Sequence, residues 1–203
     1  MERLLTRRLL QWKTEKDRKP LILKGVRQVG KTHLLKELGR CHFTSCHYFN
    51  FEKEPNLRKI FEPDLIPKNI LTRLSFHQDR PIHPGEDLVI FDEIQECPSA
   101  LTSLKYFQEE CEDLHLCSAG SLLGLHLSGG SFPVGKVTFE ILRPMSFEEF
   151  LMANEDKALS FLKNPSLPET VHLHLWEQLL RYWFVGGLPE AISIFCTREC
   201  SPA

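Results

Sequence analysis

A short apolar run, Leu21-Ile22-Leu23, leads into Gly25-Val26-Arg27-Gln28-Val29-Gly30-Lys31-Thr32. A helical pattern with Leu34, Leu35 and Leu38 follows. No other stretch restricts the fold as much. A strand, a G-x-x-x-x-G-K-[ST] loop and a helix in that order specify a turn whose successive N–H groups face a polyanion. The glycines allow backbone conformations that other residues resist and let a phosphate approach closely. The helix adds its positive N-terminal end, equivalent to roughly half a charge. In such a loop Lys31 reaches the β- and γ-phosphates and the Thr32 hydroxyl ligates Mg2+. The expected phosphate-binding set is therefore Gly25, Val26, Arg27, Gln28, Val29, Gly30, Lys31 and Thr32, with His33 next in line. The bland alternative is a chance glycine turn before a helix, and the correct flanks on both sides weigh against it.

A second apolar run, Leu88-Val89-Ile90-Phe91, ends in Asp92-Glu93. Its length suits a strand buried on both faces. Open α/β sheets place ligands at the carboxyl ends of their strands, which is where Asp92 falls. An Asp there can hold Mg2+, and the adjacent Glu93 can orient and polarise an attacking water. Two solvated acids at a strand end are common, so the pair gains weight only together with the loop.

Strand and helix patterns alternate across residues 20–142, which implies a parallel sheet with helices on both faces. Further strands are expected at Tyr48–Phe51, Leu114–Cys117 and Val137–Leu142. Gly39 is expected to end the helix after the loop, and Pro63 and Pro67 break the helical spacing of residues 56–76. Residues 1–19 read as a basic amphipathic helix. Ser146 followed by Glu149 is a capping-box pattern that starts a helix at Phe147. Residues 168–184 form another helix, with Leu173, Trp176, Leu180 and Trp183 among its apolar positions, and Gly186-Gly187-Leu188-Pro189 is a turn. The expected division is an N-terminal helix over 1–19, a core over 20–145 and a helical region over 146–203. With no structural end signal after Thr197, the last region reads as the start of a longer part.

Composition narrows the class of partner. At 203 residues, 42% hydrophobic and 26% charged, the chain is of ordinary globular composition, not that of a disordered one. A net charge of −2 gives no basic excess to support nucleic acid as a partner. No apolar run reaches the ~20 residues of a membrane helix, and the N-terminus lacks a secretory pattern. The seven cysteines are odd in number and include no Cys-x-x-Cys pair; with the absent leader, this places the chain in the cytosol. Cys41-His42 and Cys46-His47 fit no usual zinc spacing and read as half-buried cysteines. Cys196 and Cys200 read as exposed thiols near a frayed end.

Weaker candidates surround the two motifs. Ser121, and after it Ser118, could sense the γ-phosphate from the end of the fourth strand, although each could equally be a cap or turn serine. Arg143 and Lys136 flank the fifth strand and are candidates for a cation supplied in trans to the transferring phosphate.

Taken together these residues resemble the bacterial and archaeal AAA-superfamily ATP-binding proteins that join an N-terminal AAA domain to a poorly characterised C-terminal domain. The likeness rests on the loop at 21–32, Tyr-Phe-Asn-Phe-Glu at 48–52, Asp92-Glu93-Ile94-Gln95 and Gly120-Ser121-Leu122-Leu123. Pro144-Met145-Ser146-Phe147-Glu148-Glu149-Phe150 and the turn reached from Tyr182 to Pro189 make it specific. The resemblance implies an α/β fold, the P-loop NTPase three-layer sandwich of AAA type with a five-stranded parallel sheet, followed by a small helical region. It implies ATP and Mg2+ as ligands, with Glu93, Lys31 and Ser121 catalytic and Thr32 and Asp92 on the metal. It also implies self-association and a protein partner bound through a part beyond residue 203. Two departures matter: the family often has Gly-Arg before the fifth strand, where this chain has Gly135-Lys136, and its members usually continue well beyond residue 203. Three functions follow from the residues. The first is ATP hydrolysis that drives a conformational change, the second a nucleotide-dependent switch with little turnover, and the last-ranked a nucleotide kinase, for which no acceptor-site motif is visible.

Overall fold

The computed structural model describes residues 1–120, 135–164 and 166–199. Along them run α1 (Leu5–Thr14), β1 (Leu21–Lys24), α2 (Lys31–His42), β2 (Cys46–Asn50), α3 (Pro67–His77), β3 (Leu88–Asp92), α4 (Pro98–Glu110), β4 (His115–Gly120) and β5 (Thr138–Ile141). Then come α5 (Phe147–Ala153), α6 (Glu169–Val185) and α7 (Pro189–Glu199). The chain divides into two compact units. One, the sheet unit, comprises Arg7–Gly25 and Lys31–Leu142; the other, the helical unit, comprises Met1–Thr6, Val26–Gly30 and Arg143–Ala203.

In the sheet unit five strands lie in the order β2-β3-β4-β1-β5, and every pair is parallel. Every residue of β3 and β4 is buried, as expected of strands covered on both faces. Alternation sorts the two faces. Val89 and Phe91 join Leu57, Phe61, Ile70, Leu74, Leu104 and Phe107 in a core that holds α3 and α4 against one face. The Phe91 ring is the hub, edge-on to Phe51 at 5.6 Å and Phe61 at 5.7 Å. Leu88 and Cys46 belong to the opposite face, where α2 packs.

Gly39 shows how closely. A Cβ built there would lie 2.5 Å from Cys46 Sγ and 2.8 Å from Cys46 Cβ. The helix therefore runs through Gly39 to His42 instead of ending at it. The glycine serves the close approach of α2 to β2, and its reading as a stop is corrected. Other boundaries differ from expectation, three of them with a visible reason. α1 covers only Leu5–Thr14 of the first 19 residues, because the chain turns after it, with Trp12 Nε1 donating to the Lys19 carbonyl at 2.8 Å, and then enters Pro20. β2 begins at Cys46, in register with Leu88. β4 extends to Gly120, since Ser118, Ala119 and Gly120 pair with β1 despite their weak strand preference.

In the helical unit the expected capping box is formed. Ser146 Oγ accepts from the Glu149 N–H at 3.2 Å, and Glu149 Oε2 accepts from the Ser146 N–H at 2.9 Å. Phe150, Leu151, Leu175 and Ile192 build the core. The Gly187 carbonyl accepts from the Met145 N–H at 2.7 Å, and a Cβ on Gly187 would meet the Met145 oxygen at 2.6 Å. Tyr182 OH also donates to that Met145 oxygen. These contacts join the Gly-Gly-Leu-Pro turn to the Pro-Met-Ser-Phe segment. Leu173, Trp176, Leu180 and Trp183 of α6 are exposed, whereas Leu175 and Gln178 are buried. Cys196 is half-buried and donates to Asn154 Oδ1 at 3.1 Å, so it is not the exposed thiol expected.

Two outcomes follow from this packing. Glycine-to-alanine changes inside helices usually stabilise by up to ~1 kcal/mol. Gly39→Ala should instead destabilise by about 1–3 kcal/mol through overpacking against Cys46, read from the urea midpoint. The second concerns His115, which is edge-on to Phe43 at 4.9 Å and to Trp12 at 6.1 Å. Burial, followed by the Arg18 guanidinium, lowers its pKa from 6.5 to about 4. Between those values the unfolded chain binds a proton that the native ring refuses, so stability falls as pH drops through that window. His115→Phe should shrink the loss of urea stability between pH 7 and pH 5.

Candidate active site

Parallel pairing brings the carboxyl ends of β1, β3 and β4 to one edge of the sheet. There the sheet unit assembles a cluster around Asp92, which is 2% exposed. Thr32 Oγ1, in the first turn of α2, donates to Asp92 Oδ2 at 2.8 Å. Tyr48 OH donates to the same oxygen at 2.7 Å, and Asn50 Nδ2 lies 3.4 Å from it and donates to Tyr48 OH at 3.0 Å. Asp92 Oδ1 accepts from the Glu93 N–H at 3.1 Å. Burial and then the Asp92 carboxylate push the Tyr48 phenol well above its ordinary range, which keeps its proton in place as a donor. Tyr48 and Asn50 lie on an expected strand, but neither belongs to the expected site. The signal was their spacing: two residues apart on β2, they share a face, and β2 pairs with the strand that carries Asp92.

Glu93 lies just past β3 in the left-handed region, at φ 49° and ψ 47°. A non-glycine residue there costs on the order of 1 kcal/mol, and such strain concentrates at functional sites. The kink lets Ile94 enter the core while the half-buried Glu93 carboxylate accepts from Gln95 Nε2 at 2.6 Å. Gln95 is a third residue beside this chemistry, within the Asp92-Glu93-Ile94-Gln95 stretch but with no signal of its own for the role.

The loop itself leaves β1 at Gly25, whose carbonyl accepts from Lys31 Nζ at 2.9 Å. Lys31 is 7% exposed. Val26, Arg27 and Gln28 are exposed and Val29 is buried. Gln28 and Gly30 both have positive φ, 61° and 93°. The glycine takes that value without the penalty a side chain would bring. Within the helical unit the Val29 carbonyl accepts from Arg3 Nη1 at 2.9 Å. Arg3 was read only as part of a basic helix face, yet it is 6% exposed.

His33 is exposed. Ser118 is buried, and among the described residues its Oγ has no hydrogen-bond partner. Ser121 lies outside the described residues. Lys136 pairs with Glu109 at 3.0 Å. Arg143 is exposed, and its carbonyl accepts from Arg3.

The fold and this cluster define a P-loop nucleoside-triphosphatase domain. The family model described as "AAA domain" matches residues 17–151, and the chain belongs to that family, one of nucleotide-binding ATPases. No curated protein matches it. Among solved structures it is similar to PCH-2 of C. elegans, at 13% identity and TM-score 0.52 over 98% of this chain and 60% of that one. It is also similar to AMPPCP-bound DnaA of Aquifex aeolicus, at 13% identity and TM-score 0.51 over 96% and 58%. A third is a STAND protein, a signal transduction ATPase with numerous domains, from Pyrococcus horikoshii, at 15% identity and TM-score 0.50 over 100% and 30%. The chain thus spans less than two thirds of each of these proteins. The likeness establishes the AAA-type fold. Among the described residues no helix is long and apolar enough to cross a membrane.

Tyr48→Phe removes one donor from a buried carboxylate while keeping the ring. It should lower stability by about 1–2 kcal/mol in urea denaturation.

Proposed function

We propose that this chain binds ATP with Mg2+ and hydrolyses the β–γ bond to drive a conformational change in an attached or partner domain. The observation that carries the reading is the Thr32 hydroxyl 2.8 Å from the buried Asp92 carboxylate, with Glu93 next in the chain. Both groups are hard oxygen donors, as Mg2+ requires. Among the described residues no group of three or more His, Cys, Asp or Glu stands together, so the other ligand positions fall to water and phosphate oxygens. Mg2+ bound there neutralises charge on the β- and γ-phosphate oxygens.

The chain's own residues do the rest. The amides at the start of α2 lack intrahelical acceptors and turn toward the triphosphate with those of Gly25–Gly30. Lys31 leaves the Gly25 carbonyl for the β- and γ-oxygens. Tyr48 and Asn50 hold Asp92 in orientation. Glu93 accepts a proton from the attacking water, and Ser121 senses the γ-phosphate. In this reading residues 1–19, 20–145 and 146–203 act as N-terminal helix, catalytic core and helical transmitter. In this reading the protein works in the cytoplasm, self-associates and engages a protein partner.

A second reading, a nucleotide-dependent switch with little turnover, is favoured by one contact: the Glu93 carboxylate is already held by Gln95 at 2.6 Å. A switch would keep it there, whereas turnover requires its release. Phosphate release at saturating Mg-ATP separates the two. Hydrolysis predicts release from the wild type, loss of at least ~100-fold in Glu93→Gln with binding retained, and loss of binding in Lys31→Ala. Wild-type release no greater than that of Lys31→Ala selects the switch.

A further inference from the structure

The loop segment Val26–Gly30 clusters with the helical unit and not with the strand and helix on either side of it. Within that unit one side chain ties the segment to the rest. The Arg3 guanidinium, 6% exposed, reaches three separate stretches of chain. Nη1 donates to the Val29 carbonyl at 2.9 Å, Nη2 to the Arg143 carbonyl at 2.6 Å and Nε to Glu149 Oε1 at 2.9 Å. The same Glu149 oxygen accepts from the Leu4 N–H at 2.8 Å, while its other oxygen closes the cap of α5 on Ser146. A Cβ at Gly30 would lie 3.9 Å from Arg3 Nη1 and 3.6 Å from Pro189 Cγ, so the loop is backed closely by these two residues.

A loop that turns its amides toward an anion must turn carbonyls away from it, and a buried carbonyl turned away needs a donor of its own. Val29 is fully buried, and Arg3 donates to its carbonyl. The planar fork suits the task because it can hold several acceptors in fixed directions, which a lysine ammonium on a flexible stem does not.

We propose that Arg3 is a positioning residue of the phosphate loop, and that through Glu149 it ties the loop's conformation to the N-terminal cap of α5. Nucleotide at the loop and order in α5 then rise and fall together. This deepens the ATP-binding reading and rests on it.

The test uses the full chain, a fluorescent methylanthraniloyl ATP and hydrogen exchange with and without the non-hydrolysable analogue AMP-PNP. In the wild type, AMP-PNP should slow exchange across residues 146–153. Arg3→Lys keeps the charge opposite Glu149 but loses the fork. It should remain folded by far-UV circular dichroism, bind the fluorescent nucleotide about tenfold more weakly and lose the protection of 146–153. A merely structural role predicts a lower melting temperature with affinity and protection intact, and that result overturns the proposal. If Arg3→Lys does not fold, Glu149→Gln replaces it: the single glutamine oxygen can still close the cap on Ser146, the fork stays on Val29, and Arg3 and the Leu4 N–H lose the carboxylate oxygen they share. Protection of 146–153 should then fall while binding persists, and unchanged protection overturns the coupling. Failure of the wild type itself to bind nucleotide removes the ATP-binding reading and this proposal with it. Wild-type binding with an unaffected Arg3→Lys removes the proposal alone.

Discussion

A carboxylate shut away from water is costly unless hydrogen bonds replace the water it has lost. Asp92 meets that condition with donors from three places in the chain: the first turn of α2 through Thr32, β2 through Tyr48 and Asn50, and its own successor through the Glu93 N–H. The cluster fixes the relative placement of the two motifs, 60 residues apart, that carry the nucleotide reading. It also explains why β2 lies beside β3, since only that neighbour brings Tyr48 and Asn50 to the same carboxylate. Weakening one donor leaves the others to carry a buried negative group, so these contacts are coupled and not independent.

Charge is handled differently in the helical unit. Arg3 and Glu149 form an ion pair whose side chains are 7% and 6% exposed. Removing one partner of such a pair typically costs about 3–5 kcal/mol, because the other is left buried and uncompensated. The gain of a buried pair over an apolar contact is usually small, so its value here lies in geometry. It sets where the Val29 carbonyl points and how α5 begins.

Much of this could be read from the sequence, for identifiable reasons. The β3 run and the loop carry strong local signals, apolar length in one and glycine with lysine in the other, and both fall where expected. The capping box at Ser146 is local as well. Signals that depend on distant partners were lost. Ser118-Ala119-Gly120 does not look like a strand, yet pairing with β1 makes it one. Gly39 looks like a helix stop, and only its contact with Cys46 gives its purpose. Arg3 looks like one more charge on a basic helix, since nothing near it in sequence announces a partner 146 residues away. Tyr48 and Asn50 were half legible: the strand was seen, but their role depends on which strand lies next to it.

The place of β1 in the sheet bears on how the domain forms. It is among the first segments of the chain, yet its two neighbours are β4, where Leu21 pairs with Cys117, and β5, where Leu21 pairs with Thr138. Closing such distant pairs is entropically expensive and slow. During synthesis Leu21-Ile22-Leu23 therefore emerges well before either flank exists, and its apolar side chains wait without a sheet to enter. The strand that launches the phosphate loop is made early and seated late.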